Sequence, residues 1–282
     1  MSFTTEGLAE RLPLPVPLPT LEDWPNAEFH VDPARGITVK ALGLSLSSAF
    51  QPIFDAQGRV VGEEALLRAL TRGKPLPPLQ AFACAADQQL VAFDRLCRTL
   101  HLLNFATFQH AAFKQDAARL FLNVHPQLLV QVESRHGEAF GRILDSLAWS
   151  PRQIVLEITE DAIPDSRVGQ VRAAIESYRA RGYAIAIDDF GSRHANLDRL
   201  WVFEPDIVKL DRELIFQAEQ SPRLRRALPK VVELLHELEA EVVVEGIETE
   251  VQQQIALDAG ADALQGYLLG EPRFFGSSGG TR

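Results

Sequence analysis

Eight polar residues stand in or directly after short apolar runs: Glu64, Asn123, Glu157, Asp188, Asp189, Lys209, Glu245 and Gln265. Their carboxylate and amide oxygens are the donors that hard divalent ions such as Mg²⁺ or Mn²⁺ prefer, and without Cys or His the set suits these ions better than zinc. The adjacent Asp188 and Asp189 suit two ions, because one carboxylate can bridge while its neighbour binds the second ion. Ion pairs about 3.5–4 Å apart serve phosphoester hydrolysis. The sequence therefore predicts a two-metal hydrolytic site.

Repulsion among these carboxylates is a second argument for bound cations. Two carboxylates about 4 Å apart repel by roughly 4 kcal/mol at an effective dielectric near 20, so either some carry protons or cations lie between them. Lys209, flanked by Val208 and Leu210, either orients an attacking water or forms a salt bridge with these carboxylates. Arg68, just after Glu64, can offer a two-pronged hydrogen bond to a phosphate.

Eight apolar runs alternate with amphipathic stretches, and the runs predict strands over 45–54, 60–67, 120–124, 154–158, 183–187, 206–210, 241–244 and 263–266. Helical spacing appears over 78–110, 126–147, 167–181, 212–238 and 249–259. Such alternation favours a mostly parallel sheet, and eight strands favour closure into an α/β, TIM-like (β/α)8 barrel. The first two runs are joined by a short Gly-containing turn, which predicts an antiparallel first strand. The carboxyl ends of the parallel strands meet at one mouth, where the polar residues would gather.

Composition excludes several classes of protein. The chain has 282 residues, 46% hydrophobic and 23% charged, with a net charge of −10, which is typical of a globular domain and argues against binding of nucleic-acid polymers. Cys84 and Cys97 predict two buried, reduced thiols. The lack of a long apolar run or a signal peptide predicts a cytoplasmic protein outside the membrane.

The ends of the chain differ in composition from its centre. Prolines alternate with apolar residues over 12–25, which favours an extended leader that packs on the body or tethers a partner. The predicted organisation is a proline-containing leader over 1–40, a barrel domain over 41–276 and a tail over 277–282.

The polar residues stand in motifs that resemble those of the EAL domains, bacterial phosphodiesterases that hydrolyse cyclic di-GMP to linear pGpG. In the family's order, the matching segments are Gln51-Pro52-Ile53, Gly62 to Arg68, Leu122-Asn123-Val124, Leu156 to Glu160, Asp188 to Gly191, Asp206 to Asp211, Glu245 to Thr249, and Gln265-Gly266-Tyr267 with Pro272. The family fold is a barrel with an antiparallel first strand, in agreement with the strand pattern.

The resemblance implies a role for each matching residue. Glu64, Asn123, Glu157 and Asp188 would hold one Mg²⁺ or Mn²⁺ ion, and Asp188, Asp189 and Glu245 the second. Lys209 would act on the attacking water near Gln265, with Glu64, Lys209 and Glu245 as the catalytic set. The remaining implied roles are contacts to cyclic di-GMP from Gln51, Arg68, Asp94 and Gln265, and bracing of the loop after Asp189 by Glu160. Glu63, on the opposite strand face from Glu64, is left out of the site.

One loop departs from the family pattern. After Gly191 the family continues Thr-Gly-aromatic-Ser-Ser-Leu, whereas this chain has Arg193 at the position of the second Gly, where a side chain restricts the backbone. In the family this loop is tied to the second metal and to homodimerisation. An alternative function is therefore a weak or inactive cyclic di-GMP receptor that signals through a regulatory protein partner. A third is an unrelated barrel lyase that uses Mg²⁺ to stabilise an enolate.

Overall fold

The computed structural model describes residues 27–109, 118–124, 129, 138–147, 149–159, 163–192 and 197–275. Its strands are β1 Glu28–Asp32, β2 Gly36–Ala41, β3 Leu44–Asp55, β4 Val60–Thr71, β5 Lys74–Leu76, β6 Arg119–Asn123, β7 Ile154–Thr159, β8 Ala184–Phe190, β9 Ile207–Leu210, β10 Glu241–Val244 and β11 Ala263–Leu264. Its helices are α1 Pro78–Phe82, α2 Leu90–Gln109, α3 Glu138–Ser146, α4 Val168–Arg179, α5 Leu197–Phe203, α6 Arg212–Gln220, α7 Pro222–Glu237 and α8 Glu250–Asp258.

Eight of the strands close into a barrel in the order β3, β11, β10, β9, β8, β7, β6, β4, and a β3–β4 pairing completes the ring. β3 is antiparallel to both of its barrel neighbours, β4 and β11, while the other described barrel pairs are parallel. The predicted α/β, TIM-like barrel with an antiparallel first strand is thus confirmed, and all eight predicted strands are present.

The structure adds a hairpin on the edge of this sheet. Strand β1 pairs with β2, and β2 pairs with β3, so residues 28–40, assigned to the leader by sequence, extend the barrel sheet. Ile37 and Val39 are buried beneath α2, where Asn104 hydrogen bonds to both the N–H and the C=O of Ile37. Residues 1–26 and 276–282, which include the proline-rich segment and the tail, lie outside the described residues. The predicted domain boundaries stay a prediction.

The helical prediction over 212–238 was wrong in detail. The single helix expected over 212–238 is divided into α6 and α7 at Ser221, whose extended backbone allows its Oγ to accept from the Leu224 N–H while Pro222 begins the next helix. Helix α5 was not predicted. Cys84 is exposed, and only Cys97 is buried as expected. In the part of the chain that the structure describes, no helix has the length and apolarity to cross a membrane.

Candidate metal and phosphodiester site

Two layers of inward-facing side chains fill the barrel, one above the other. The lower layer is apolar, and seven strands contribute one residue each: Ile53, Phe121, Val155, Ala186, Ile207, Val243 and Ala263. The eighth strand contributes Gly62, where a Cβ atom would lie 2.6 Å from the Phe121 ring. A larger residue at this position would therefore clash with the barrel core.

The upper layer lies two residues nearer the mouth on every strand, because side chains two apart face the same side of a sheet. β3 runs in the opposite direction to the other barrel strands, so its upper-layer residue comes two positions before Ile53 in the sequence. On the other seven strands, the upper-layer residue comes two positions after the residue of the lower layer. The eight members are Gln51, Glu64, Asn123, Glu157, Asp188, Lys209, Glu245 and Gln265. The period of the strands thus brings eight predicted site residues into one ring.

Lys209 lies inside this ring with 1% of its side chain exposed. Its Nζ is 2.5 Å from Glu157 Oε1 and 2.5 Å from Glu245 Oε1, and 3.3 Å and 3.4 Å from oxygens of Glu64 and Asp188. One ammonium therefore contacts four carboxylates. This arrangement agrees with the salt-bridge interpretation of Lys209, and it leaves the carboxylates with more negative charge than one lysine neutralises.

Two amide side chains connect these carboxylates. Asn123 Nδ2 lies 3.1 Å from Glu64 Oε1 and 3.1 Å from Glu157 Oε2, and Gln265 Nε2 donates to Glu64 Oε2 at 2.8 Å. Glu64 therefore interacts with three side chains of the ring, which fix the plane of its carboxylate.

Burial tends to raise the pKa of these ring acids, and the neighbouring charges either oppose this effect or add to it. Burial tends to raise the pKa of Glu64, but Lys209 and the hydrogen bonds from Gln265 and Asn123 lower it overall. Burial and neighbouring carboxylates raise the pKa values of Glu157 and Asp188, and they raise that of Glu245 to about 8. Burial tends to lower the pKa of Lys209, but the four carboxylates raise it overall. The ring therefore has less positive charge, from Lys209 alone, than its four carboxylates would need if all were ionised.

Asp189 reaches the same side as Asp188 through an irregularity of β8. Strict alternation would turn these neighbours to opposite faces, but the β8–β9 register shifts between Ile187 and Phe190, and Asp189 has a left-handed backbone with φ of 56°. Asp and Asn tolerate this conformation better than other residues with side chains. As a result, carboxylate oxygens of Asp188, Asp189 and Glu245 lie within 4.8 Å of one another.

The ring has the chemistry of a hard-cation site. All its candidate ligand atoms are carboxylate or amide oxygens, and Gln265 Oε1 is buried with no hydrogen-bond partner among the described residues. Burial and Asp188 also raise the pKa of Asp189 to about 6, which indicates a further shortage of positive charge. These residues fit divalent ions such as Mg²⁺ or Mn²⁺.

A cavity of about 280 Å³ opens above the ring. Its walls include Gln51, Glu64, Asp188, Asp189, Glu245 and Gln265, together with five residues to which the sequence assigned no role: Arg212, Gly246, Glu248, Gly266 and Tyr267. Each of the five follows a ring residue by one to three positions in the sequence, and this closeness to the end of a strand is the signal that could have identified them.

Two predicted contacts, Arg68 and Asp94, stand apart from the ring. Arg68, on β4, donates to the neighbouring Leu67 carbonyl and does not line the cavity. Asp94, on α2, is buried and lies 2.5 Å from the Arg98 guanidinium, away from the cavity walls. Glu160 and the departing residue Arg193 lie outside the described residues.

Comparison with known proteins agrees with this geometry. The model of the EAL domain matches residues 40–272. The cyclic di-GMP phosphodiesterase RocR of Pseudomonas aeruginosa is 30% identical over 70% of this chain and 49% of its own length. The blue light- and temperature-regulated antirepressor BluF of Escherichia coli is 28% identical over 81% of this chain and 54% of its own.

A solved structure, Klebsiella pneumoniae BlrP1 in complex with manganese and cyclic di-GMP, superposes with a TM-score of 0.68 at 28% identity, over 89% of this chain and 59% of BlrP1. The match covers 49% of RocR and 54% of BluF, so this chain spans about half the length of these two relatives. The family match extends from the end of β2 to the segment after β11 and includes every residue of the ring. The chain belongs to the EAL domain family.

Proposed function

We propose that this protein is a divalent-metal-dependent phosphodiesterase that hydrolyses cyclic di-GMP to linear pGpG. The observation that carries the proposal is the ring in which Glu64, Asn123, Glu157, Asp188 and Glu245 converge around Lys209. Its oxygen donors and unmet negative charge match the requirements of a metal-assisted phosphodiesterase. RocR is named a cyclic di-GMP phosphodiesterase, and its similarity to this chain supports the choice of substrate.

In this proposal, Glu64, Asn123, Glu157 and Asp188 hold one Mg²⁺ or Mn²⁺ ion, and Asp188, Asp189 and Glu245 hold a second. Bound divalent ions supply Lewis-acid chemistry, which neutralises phosphate charge and yields a nucleophile from water at neutral pH. The BlrP1 complex contains manganese, which supports the choice of ion.

The chain's own residues position the reactants. The water oxygen loses a proton and forms a bond to phosphorus while the bond to the departing 3′ oxygen breaks on the opposite side, and that oxygen gains a proton, so no net proton is consumed in this step. Glu64, Lys209 and Glu245 form the catalytic set, with the Lys209 ammonium orienting the water and stabilising charge on the phosphate. Gln265 positions ligands and water beside Glu64, whose carboxylate it contacts at 2.8 Å.

Gln51, Arg68 and Asp94 contact the dinucleotide in this proposal. Gln51 lines the cavity, whereas Asp94 must exchange its contact with Arg98 for one with the ligand. The net charge of −10 is no obstacle to a doubly anionic substrate, because two ions add four positive charges where the phosphate binds. The same charge disfavours nucleic-acid polymers.

A direct assay tests the activity. Purified protein is incubated with cyclic di-GMP and Mn²⁺, with and without chelator, and the nucleotides are separated by anion-exchange chromatography. We expect pGpG to form only without chelator. Glu241→Gln, at the opposite end of the barrel where Glu241 pairs with Arg119, is the matched control and should retain full turnover. Absence of pGpG at every protein concentration would refute the enzyme.

A second candidate function is a cyclic di-GMP receptor with little or no turnover. It is favoured by the departure at Arg193 and by the similarity to BluF, which is named an antirepressor. Tight binding of cyclic di-GMP in Mg²⁺, measured by calorimetry, with intact nucleotide recovered afterwards, would support it. Arg193→Gly should then restore turnover if the loop limits the rate, and a clear drop would mean that this chain uses Arg193.

Assembly and location complete the proposal. We place the protein in the cytoplasm, where cyclic di-GMP is available, and propose a homodimer with a regulatory protein partner as its source of control. Sedimentation velocity with and without cyclic di-GMP tests the dimer.

A further inference from the structure

A second acid on β4 is buried on the outer face of the barrel wall. Glu63 is 1% exposed and faces away from the ring that contains its neighbour Glu64. Its Oε1 lies 3.5 Å from Arg273 Nη2. A buried carboxylate is costly without hydrogen bonds or a cation nearby, and Arg273 places a guanidinium beside Glu63.

Arg273 belongs to a segment that returns to the barrel after β11. Its backbone forms two hydrogen bonds with Phe50 of β3, from Phe50 N to Arg273 O at 2.8 Å and from Arg273 N to Phe50 O at 2.9 Å. The Phe275 ring packs on Phe50 with centroids 4.3 Å apart, and Arg35 of the β1–β2 turn lies over Phe274. The ion pair therefore anchors a segment that also contacts the edge hairpin.

The same segment forms one rim of the candidate site. The Gly270 carbonyl accepts a hydrogen bond from Gln51 Nε2 at 3.1 Å, and this bond fixes the Gln51 amide at the cavity wall. Gly270 packs so closely that an added Cβ atom would lie 2.6 Å from Pro52. Tyr267, in the turn before Gly270, lines the cavity and is 61% exposed. A shift of the segment would thus move both Gln51 and Tyr267.

We propose that Arg273 is a positioning residue for ligand binding: its ion pair with Glu63 holds residues 270–275 against β3 and thereby fixes Gln51 and the Tyr267 rim. Arg273 acts through these residues and does not touch the ligand. The link to cyclic di-GMP rests on the proposed function, whereas the anchoring of the segment does not.

Two readouts on the full chain test the proposal. The first is the affinity for cyclic di-GMP in Ca²⁺, measured by calorimetry, together with kcat and KM in Mn²⁺. For Arg273→Gln we expect about fivefold to tenfold weaker binding, with a higher KM and little change in kcat. Arg273→Lys, which keeps the positive charge, should bind within about twofold of the unmodified protein. The double variant Glu63→Gln with Arg273→Gln should bind no more weakly than Arg273→Gln alone.

The second readout is amide hydrogen exchange by mass spectrometry, which requires no activity. Arg273→Gln should accelerate exchange over 266–275 and leave the strands around the ring unchanged. Arg119→Gln is the matched control, because Arg119 pairs with Glu241 at 2.5 Å at the other end of the barrel. It should alter neither affinity nor exchange over 266–275.

The outcomes separate the two proposals. Unchanged affinity and unchanged exchange in Arg273→Gln would overturn the positioning role while leaving the enzyme intact. Acceleration spread over the whole barrel would also overturn it, because the ion pair would then serve only stability. If the unmodified protein neither binds nor cleaves cyclic di-GMP, the proposed function fails, and the exchange data alone decide whether Arg273 anchors the segment.

Discussion

Lys209 Nζ lies 2.5 Å from Glu157 Oε1 inside the barrel, where both side chains are almost completely removed from water. A buried ion pair is retained only with close geometry and further partners, and here Glu64, Asp188 and Glu245 provide them. The ring is therefore an electrostatic unit in which removal of one member alters all the others.

Replacement of Lys209 by Met tests this unit. In chelator, we expect the free energy of unfolding to fall by about 3–5 kcal/mol, because buried carboxylates lose their cation. Saturating Mn²⁺ should recover part of this loss, since bound ions restore positive charge. Urea denaturation with and without Mn²⁺ measures both effects, and turnover should be lost. Equal stability of the variant and the unmodified protein in chelator would show that Lys209 does not neutralise the ring.

Glu64→Ala removes the acid that interacts with Lys209, Asn123 and Gln265. We expect turnover to vanish because a metal ligand is lost, and Mn²⁺ affinity to fall about tenfold or more. A chromatographic pGpG assay and a calorimetric Mn²⁺ titration provide the measurements. Glu241→Gln serves again as the control. Full activity in Glu64→Ala would refute the assignment of Glu64.

Two replacements of Asp189 distinguish the contribution of its backbone conformation from that of its carboxylate. Asp189→Asn should fold with nearly unchanged stability, since Asn also tolerates the left-handed backbone, but it should lose turnover. Asp189→Val should in addition lose about 1–2 kcal/mol of stability, because a β-branched residue is strained at this φ. Denaturation midpoints of the two variants provide the comparison. Equal stability would mean that β8 relaxes without its irregularity.

The buried His101 predicts a pH dependence of stability. Burial, together with Arg68 and Arg98, lowers its pKa to about 3, and its Nδ1 lies 2.7 Å from Ser48 Oγ. Between a pH of about 3 and the His101 pKa of the unfolded chain, near 6.5, the unfolded chain binds more protons than the folded protein. The free energy of unfolding therefore rises with pH across this window by up to about 1.4 kcal/mol per pH unit, and it falls again as the pH is lowered.

His101→Gln should remove this contribution. Urea denaturation at several values between pH 5 and 6.5 should give a smaller slope of stability against pH for the variant than for the unmodified protein. Identical slopes would show that His101 does not carry the dependence.

Much of the site could be predicted because strands repeat every two residues. An apolar residue such as Val155 followed two positions later by Glu157 is visible in the sequence, and the same relationship recurs around the barrel. Other features depend on contacts that no local pattern shows. Helix α2, for example, covers the hairpin through Asn104, which lies 67 positions from its partner Ile37.

The sequence by itself determined the strand order, the closed α/β barrel and the ring of acids, amides and one lysine at its mouth. Side chains alternate between the two faces of every strand, and parallel strands end at the same mouth, so both regularities can be read from the sequence pattern. Only the tertiary structure decided that Asp189 turns toward Asp188 and that Arg273 returns to Glu63. The first depends on a register shift between two strands and the second on a segment that pairs with β3, and both are interactions between residues distant in the chain.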